Sequence, residues 1–498
     1  MPNSSPQPAA AWRLNRHDFA LLLLGIGLYA VTQMCCGVGA LAFAAPVPFL
    51  YFVRRARGIW PWIWLFAAIL TAMHATYAKI ITAPVSLSFV ATYAVPASLG
   101  LFAVLWLWDV IRRRAGETWA LYAFPALIVL LEWTQYAINE FGVWGTLANT
   151  QLQNLPLLQI AALLGAPAIS FLIAWAASLT EQILARRQVA FIRHHLAAFA
   201  LAYVAALSYG AVRLDRPIDG PQVRVATVSA DATERSALLT DEEAGQLLKT
   251  LMLRSTTAVR RGAQIVVWNE AATVVQKAHE AAFITDLHNW ARGKHVDLVA
   301  TYVVPLVENP TTYENKLVWI RPNGTTAQVY AKHHPLPGEP CVRSVEPVST
   351  IDTEWGHLAS AICDDYDFPP LARAHARLGV GLVVVPASDW RGIDPLHTEM
   401  IRLRAIEGGF SVVRAARLAT SAAYDAHGRT RGALPYFENN DRIMVVSVPA
   451  NPIPTLYGRL GDVLVYVAMG FLSLAGSLVT WRISHARKSH ASVPNAGA

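Results

Sequence analysis

Residues 356–388, "GHLASAICDDYDFPPLARAHARLGVGLVVVPAS", show how the middle of this 498-residue chain folds. An apolar run ends at Cys363, a helix-favouring stretch occupies 368–379, and a second apolar run occupies 381–388. Apolar strands that alternate with helices are typical of sheets covered by helices on their faces. The stretch therefore predicts a layered α/β fold. It also raises the question of whether Cys363 is a buried structural thiol, half of a disulfide or a nucleophile.

The same alternation extends over residues 217–457, which we interpret as one α/β domain. Strands are predicted at 222–230, 263–271, 297–306 and 410–417, with helices between several of them. Two further runs flank Asn323-Gly324, a dipeptide that favours a tight hairpin turn.

The rest of the chain has the composition of a membrane protein. Overall, 54% of the residues are apolar and 15% are charged. Residues 217–457 carry 23 Lys and Arg against 26 Asp and Glu, a net charge of −3, whereas the remainder carries 18 against 8, a net charge of +10. The positive charge therefore lies between apolar blocks, which argues against a nucleic-acid partner and for a membrane.

Eight apolar blocks are candidates for helices that cross the bilayer, which requires about 20 residues each. They lie at 18–34, 38–53, 59–82, 86–108, 118–138, 155–179, 191–212 and 462–481. Arginines cluster in every second link, at 54–57, 112–114, 186–193 and 482–487, and the other links carry almost no positive charge. By the positive-inside rule both termini are predicted to be cytoplasmic and residues 217–457 extracytoplasmic.

These assignments predict five segments in a multi-pass membrane protein. They are a cytoplasmic tail (1–17), a seven-helix domain (18–216), an α/β domain (217–457), a last transmembrane helix (458–483) and a cytoplasmic tail (484–498). Two residues of the membrane part are candidates for function. Glu132 is an acid inside a spanning helix, a costly placement that marks either a function or helix packing. Trp144 lies in a loop, 139–154, that suits the membrane interface.

Three strand ends of the α/β domain carry reactive groups: Glu270, Lys332 and Cys363. Sites in α/β sheets form in the loops beyond the strand ends. An acid, an ammonium and a thiol there would complete an acyl-transfer apparatus of base, oxyanion stabiliser and nucleophile. Taken separately, each residue is better explained without catalysis, because an acid or a lysine at a strand end is usually solvated and a lone cysteine is more often a small buried hydrophobic residue. Spacing alone therefore only suggests the three-residue site.

The motifs "VVWNEAA", "YAKHHPLPGEP" and "AICDDYDFP" resemble the Glu-Lys-Cys motifs of the carbon–nitrogen hydrolase (nitrilase) superfamily. Seven helices before such a domain and one after it resemble the apolipoprotein N-acyltransferase family, as do "LLEWTQ" and "TLYGRLGD". The resemblance implies a nitrilase-like αββα sandwich on a bundle of about eight transmembrane helices, located in the bacterial inner membrane.

The resemblance also implies a reaction without a cofactor or metal. A phospholipid acyl chain passes through a cysteine thioester to the N-terminal amine of a diacylglyceryl-cysteine lipoprotein. By position, Glu270 is the base, Lys332 the oxyanion stabiliser, Cys363 the nucleophile and Glu339 an acid that orients the lysine. A monomer is expected.

The chain departs from the family's pattern around the pocket mouth. The pair Asp364-Asp365 follows the nucleophile where Tyr-Glu is usual, and "PASDWRGID" keeps only part of another segment. Candidate substrate-binding residues are Asp365, Asp389, Trp390, Glu132 and Trp144. The departures leave open a different acceptor, a membrane-tethered amidase or hydrolase, and a non-catalytic scaffold with the same fold.

Three other interpretations concern cysteines and histidines. A Cys341–Cys363 disulfide would abolish thiol chemistry and is disfavoured by the catalytic interpretation. His333 and His334 lack a partner at metal-ligand spacing, so no zinc site is expected. His397 and Glu399 are expected on the outer face of a helix rather than in a site.

Overall fold

The N-terminal half of the chain folds into helices. A computed structural model describes residues 14–186, 192–231, 240–309 and 311–491, so parts of both predicted tails lie outside the described residues. The helices of this half are α1 (Arg16–Thr32), α2 (Val47–Arg55), α3 (Trp60–Tyr77), α4 (Ser88–Arg114), α5 (Glu117–Ala137), α6 (Leu155–Leu158), α7 (Ala161–Leu164), α8 (Ala166–Arg186) and α9 (Arg193–Asp215).

Four described helices are long and apolar enough to cross a membrane: Ser88–Arg114, Ala166–Arg186, Arg193–Asp215 and Val463–His485. A region of several apolar helices is therefore confirmed. The C-terminal helix α15 (Val463–Ala491) continues beyond the predicted boundary at residue 483.

Two predicted blocks are not single helices. The block 38–53 is divided into a 3-10 turn, Gly39–Phe43, and the short helix α2. The block 155–179 is divided into α6, α7 and α8, and the break before α8 falls at Gly165. Gly165 has φ +75°, and a Cβ there would lie 2.5 Å from the ring of Tyr457. A left-handed backbone and close packing therefore require glycine at this point and end the helix.

The α/β domain contains two six-stranded sheets. The first sheet has the order β12-β1-β2-β3-β4-β5 and the second has the order β11-β10-β9-β8-β7-β6. Within them, β1–β2–β3 and β7–β8–β9 are parallel and the other pairs are antiparallel. The strands are β1 (Gln222–Val228), β2 (Ile265–Trp268), β3 (Asp297–Pro305), β4 (Tyr313–Ile320), β5 (Thr326–Ala331), β6 (Ile351–Thr353), β7 (Gly356–Ser360), β8 (Leu382–Ser388), β9 (Ser411–Arg417), β10 (Ser421–Tyr424), β11 (Thr430–Leu434) and β12 (Ile443–Pro449).

The central strands are apolar on both faces because each sheet lies between the other sheet and a layer of helices. In β2, Ile265 and Val267 belong to the core between the two sheets, whereas Val266 and Trp268 belong to the outer core. This alternation follows the two-residue period of a strand. The remaining helices are α10 (Asp241–Arg260), α11 (Glu280–Lys294), α12 (Pro369–Arg377), α13 (Leu396–Gly408) and α14 (Leu456–Leu460). The predicted layered α/β domain and the 323–324 hairpin turn are confirmed.

The α/β domain is joined to the helical part through α13 and the segment before it. Leu396, Met400 and Leu403 of α13 are buried in the same core as residues of α1 to α8. Trp390 Nε1 donates to the carbonyl oxygen of Ile80 at 2.6 Å. This contact places the strand ends of the second sheet beside the helical part.

Candidate active site

The structure brings Glu270, Lys332 and Glu339 into direct contact. Glu270 follows β2 and Lys332 follows β5. Lys332 Nζ lies 2.9 Å from Glu270 Oε1 and 2.8 Å from Glu339 Oε2. Burial lowers the pKa of Lys332, but the two carboxylates outweigh it and hold the pKa well above its ordinary value. Lys332 is therefore a fixed ammonium with an anion on either side.

Further hydrogen bonds hold the two glutamates. Asn315 Nδ2 donates to Glu270 Oε1 at 2.8 Å, and the amide of Ser388 donates to Glu270 Oε2 at 3.0 Å. The amide of Leu336 donates to Glu339 Oε2 at 2.9 Å. Side chains held in this way lose little freedom when they act on a substrate.

Cys363 begins a 3-10 turn, Cys363–Asp367, just after β7. Its φ is +48°, an uncommon conformation for a residue other than glycine, and its side chain is buried. All four cysteines are free thiols, so the alternative of a Cys341–Cys363 disulfide is not found in the structure. Burial and the carboxylates of Glu270 and Asp389 raise the pKa of the thiol well above its ordinary value, against the opposing charges of Arg414 and Lys332.

A second charged cluster lies on the other side of the thiol. Asp389 Oδ1 and Arg414 Nη2 are each 3.9 Å from Cys363 Sγ. Arg414 Nη1 lies 2.9 Å from Asp389 Oδ2, and His397 Nδ1 lies 3.0 Å from Asp389 Oδ1. The expectation that His397 occupies an outer helical face is wrong, because α13 is enclosed between the sheet and the helical part and His397 is only 4% exposed.

The imidazole of His397 joins two carboxylates. Its Nε2 lies 3.2 Å from Asp367 Oδ2, while its Nδ1 faces Asp389. Burial lowers the pKa of His397, but Asp367 and Asp389 raise it to about 9. Glu399, on the same helix, accepts a hydrogen bond from Gln153 Nε2 and lies nearer the surface.

The two aspartates after the nucleophile have different surroundings. Asp365 Oδ1 accepts from the amides of His333 and His334, and its Oδ2 accepts from Tyr330 Oη and the amide of Ile362. Its carboxylate therefore ties the Lys332 loop to the Cys363 turn and is fully used within the protein. Asp364 lines the cleft described next. Burial and the neighbouring Asp367 raise its pKa well above the ordinary value.

A cleft of about 460 Å³ opens onto Cys363 between the two parts of the protein. The α/β domain contributes Cys363, Asp364, Asp389, Trp390 and His397 to its walls. The helical part contributes apolar and aromatic side chains, at Tyr77, Ile80, Ile81, Tyr93 and Trp144. Three predicted substrate-binding residues, Asp389, Trp390 and Trp144, thus lie on the cleft, whereas Asp365 and Glu132 are not among its lining residues.

Glu132 lies at a second cavity of about 540 Å³ inside the helical part. Its Oε1 accepts from the amide of Leu147 at 2.7 Å, so it ties α5 to the loop that follows. This contact favours the helix-packing interpretation of Glu132.

Two groups of side chains in the described residues have the geometry of metal ligands. They are Cys363, Asp389 and His397, and Asp364, Asp367 and His397, with ligand atoms within 4.8 Å of one another. Arg414 Nη2, however, is 2.8 Å from His397 Nδ1. A guanidinium at that distance disfavours a second cation in the first group.

Arg414 and the role of His397 were missed from the sequence. The available signal was Arg414, in the middle of the apolar strand "FSVVRAAR", since a charge in a buried strand requires a partner. The pairing itself depends on β8 and β9 lying side by side, with Val385 opposite Arg414.

The fold and the cleft define a class of protein. Residues 224–453 match the family model described as carbon-nitrogen hydrolase, so the α/β domain is of the nitrilase class. A solved amidase from Nesterenkonia sp. is 21% identical, with a TM-score of 0.40, over 50% of this chain and 97% of that one.

The helical part specifies the family. Residues 26–179 match the family model described as apolipoprotein N-acyltransferase N-terminal domain. The apolipoprotein N-acyltransferase of Geobacter metallireducens is 25% identical over 95% of this chain and 96% of its own length. The apolipoprotein N-acyltransferase of Shewanella oneidensis is 25% identical over 76% of this chain and 80% of its own length. The chain belongs to the apolipoprotein N-acyltransferase family.

Proposed function

We propose that this enzyme moves an acyl chain from a phospholipid, through a thioester on Cys363, to the N-terminal amine of a diacylglyceryl-cysteine lipoprotein. The observation that carries the proposal is the position of Cys363 at a cleft whose other wall is built by aromatic and aliphatic side chains of the helical part. A nucleophile that acts on lipid esters requires such an apolar approach, whereas an amidase acting on soluble substrates does not. Membership of the family supports the same substrates.

In the first step Glu270 takes the proton of the Cys363 thiol. The sulfur then bonds to the ester carbonyl carbon of the phospholipid, and the carbon–oxygen bond to glycerol breaks. The departing oxygen receives the proton from Glu270. Lys332, oriented by Glu339, stabilises the oxyanion of the tetrahedral intermediate.

In the second step the acceptor amine, in its neutral form, attacks the thioester carbonyl. The carbon–nitrogen bond forms and the carbon–sulfur bond breaks. One amine proton passes to Glu270 and then to the departing sulfur. The products are an amide on the lipoprotein and a free Cys363 thiol.

We assign direct substrate contact to Trp144, Trp390 and Asp389 because they line the cleft. Asp365 is assigned a positioning role, since its two carboxylate oxygens accept hydrogen bonds from neighbouring protein groups and hold them in place. Glu132 is assigned to the packing of α5 against the following loop.

The proposal includes a membrane arrangement. Eight crossings with both termini in the cytoplasm would place residues 217–457 on the outer side of the inner membrane. The protein is proposed to act as a monomer. The arginine clusters between alternate apolar blocks support this orientation. It would bring the cleft to the outer leaflet, where both lipid substrates are accessible.

Mass spectrometry of lipoprotein N-termini tests the proposed function. In a strain whose only N-acyltransferase is this protein, we expect N-acylated termini with the wild type and free α-amines with Cys363→Ala. Free α-amines with both proteins would contradict the proposal. Release of free fatty acid by the purified wild type, unchanged when a lipopeptide amine is supplied, would instead indicate a hydrolase.

A further inference from the structure

Arg414 is buried next to the sulfur of the nucleophile. It lies in β9, its side chain is 1% exposed, and its Nη2 is 3.9 Å from Cys363 Sγ. This is a contact with a reacting atom, yet the residue belongs to none of the three motifs that carry the Glu-Lys-Cys resemblance.

The guanidinium of Arg414 is held rigidly. Its Nη1 and Nη2 each lie 2.9 Å from an oxygen of Asp389, and its Nη1 also donates to Thr398 Oγ1 at 2.7 Å. A planar guanidinium that bonds to both oxygens of a carboxylate can adopt only one orientation. That orientation leaves Nη2 directed past Asp389 toward the thiol.

The charges around the thiol explain why a second cation is needed. Lys332 already lies between two carboxylates, Glu270 and Glu339, so that group as a whole carries a net negative charge when all three are ionised. On the other side, Asp389 adds another anion at 3.9 Å from the sulfur. The imidazole of His397 lies between Asp389 and Asp367, so its single charge does not offset both carboxylates. Without a further positive charge, a thiolate at Cys363 would face anions on two sides in a buried site.

We propose that Arg414 stabilises the thiolate form of Cys363, with Asp389 and Thr398 as the residues that position its guanidinium. The role applies twice in the proposed reaction: when Glu270 removes the thiol proton, and when the carbon–sulfur bond of the thioester breaks and sulfur leaves as thiolate. No atom is transferred to or from Arg414. The assignment deepens the proposed function, and the role of Arg414 in the reaction rests on that function. The effect of Arg414 on the reactivity of the thiol does not depend on it.

Alkylation of Cys363 by iodoacetamide tests this assignment without any lipid substrate. The full-length protein in detergent micelles is treated over a range of pH, and modification of the Cys363 peptide is followed by mass spectrometry. Since an opposite charge within about 4–6 Å changes a pKa by roughly 1–3 pH units, Arg414→Gln is expected to move the midpoint of the alkylation profile upward by about that amount. At a fixed pH below the midpoint, the rate should fall about tenfold or more.

Two further variants separate charge from packing. Arg404→Gln removes another buried arginine of the same domain, paired with Glu407 at 2.9 Å, and should leave the midpoint unchanged. Arg414→Lys keeps a cation, so its midpoint should lie between those of the wild type and Arg414→Gln. It also provides the test if the glutamine variant does not fold.

The charged and titratable groups that face the thiol are unchanged in the Arg404 control, so its alkylation profile serves as the reference; they are Glu270, Lys332, Asp389, His397 and Arg414. An unchanged midpoint in a folded Arg414→Gln, or an Arg414→Lys midpoint displaced as far upward as that of the glutamine variant, would overturn the assignment. If the alkylation midpoints shift as expected but the wild-type protein does not acylate lipoproteins, the result would instead count against the proposed substrates.

Discussion

The indole nitrogen of Trp144 donates a hydrogen bond to Asp367 Oδ2 over 2.7 Å, which joins the loop after α5 to the turn that begins at Cys363. The same carboxylate faces His397, and His397 faces Asp389. The helical part is thus connected to the surroundings of the thiol by a short series of buried polar contacts.

Trp144→Phe should weaken this connection. It removes a hydrogen bond to a buried carboxylate, which costs about 1–3 kcal/mol of unfolding free energy, and we expect slower acylation of Cys363 as well. Trp175→Phe is the matched control, because the buried Trp175 Nε1 has no hydrogen-bond partner among the residues that the structure describes. Thermal unfolding and acyl-enzyme formation are measured on both variants, and equal losses would show that the hydrogen bond contributes nothing.

The neighbouring acids Asp364 and Asp365 should respond in opposite ways to replacement by asparagine. Asp365→Asn leaves several buried donors without an acceptor and should lower the unfolding free energy by about 2 kcal/mol or more. Burial and Asp367 raise the pKa of Asp364 well above its ordinary value, which favours the uncharged acid, so the uncharged Asp364→Asn should change stability by about 1 kcal/mol or less. Chemical denaturation at pH 7 measures both. A larger loss in Asp364→Asn would refute this account of the pair.

His397 should make stability depend on pH in the alkaline range. Its folded-state pKa is raised to about 9, so its contribution is complete below about pH 6.5 and is lost as the pH rises through 9. The full contribution is on the order of 3 kcal/mol. The charged groups that face the imidazole are Asp367, Asp389 and Arg414.

Thermal unfolding between pH 6.5 and 9.5 checks the histidine prediction. The wild type should lose stability over this range more steeply than His397→Gln. Parallel curves for the two proteins would exclude His397 as the responsible group.

Glu339→Gln should slow acylation of Cys363 while leaving the fold intact. Glutamine can still accept a hydrogen bond from Lys332, but one of the two charges that fix the ammonium is lost. Misplacement of an oxyanion-stabilising group typically costs about 10²-fold in rate. Glu314→Gln is the control, since Glu314 pairs with Lys316 at a more exposed position. A rate of Glu339→Gln equal to that of this control would argue against the orienting role.

The sequence was informative wherever a reactive residue ends an apolar strand. Glu270, Lys332 and Cys363 were identifiable because each follows a strand that the alternation of apolar runs and helices makes visible. The contact of Lys332 with both glutamates was not identifiable from the sequence, because β3 and β4 lie between β2 and β5 in the sheet.

The sequence was uninformative where both faces of an element are buried. Helix α13 is buried over nearly its whole length, so no polar face indicated which side His397 takes. Arg414 and Asp365 depend on contacts between segments far apart in the chain. The break at Gly165 depends on the ring of Tyr457, almost 300 residues away, which local sequence does not reveal.

Detection of the acyl-enzyme is the most direct test of the central claim, a thioester on Cys363. The purified protein is incubated with phospholipid vesicles that carry a labelled acyl chain, without an acceptor, and the Cys363 peptide is analysed by mass spectrometry. We predict one acyl chain on Cys363 of the wild type, removed by neutral hydroxylamine, and none on Cys363→Ala. Labelled acyl chain bound equally to Cys363→Ala would contradict the account.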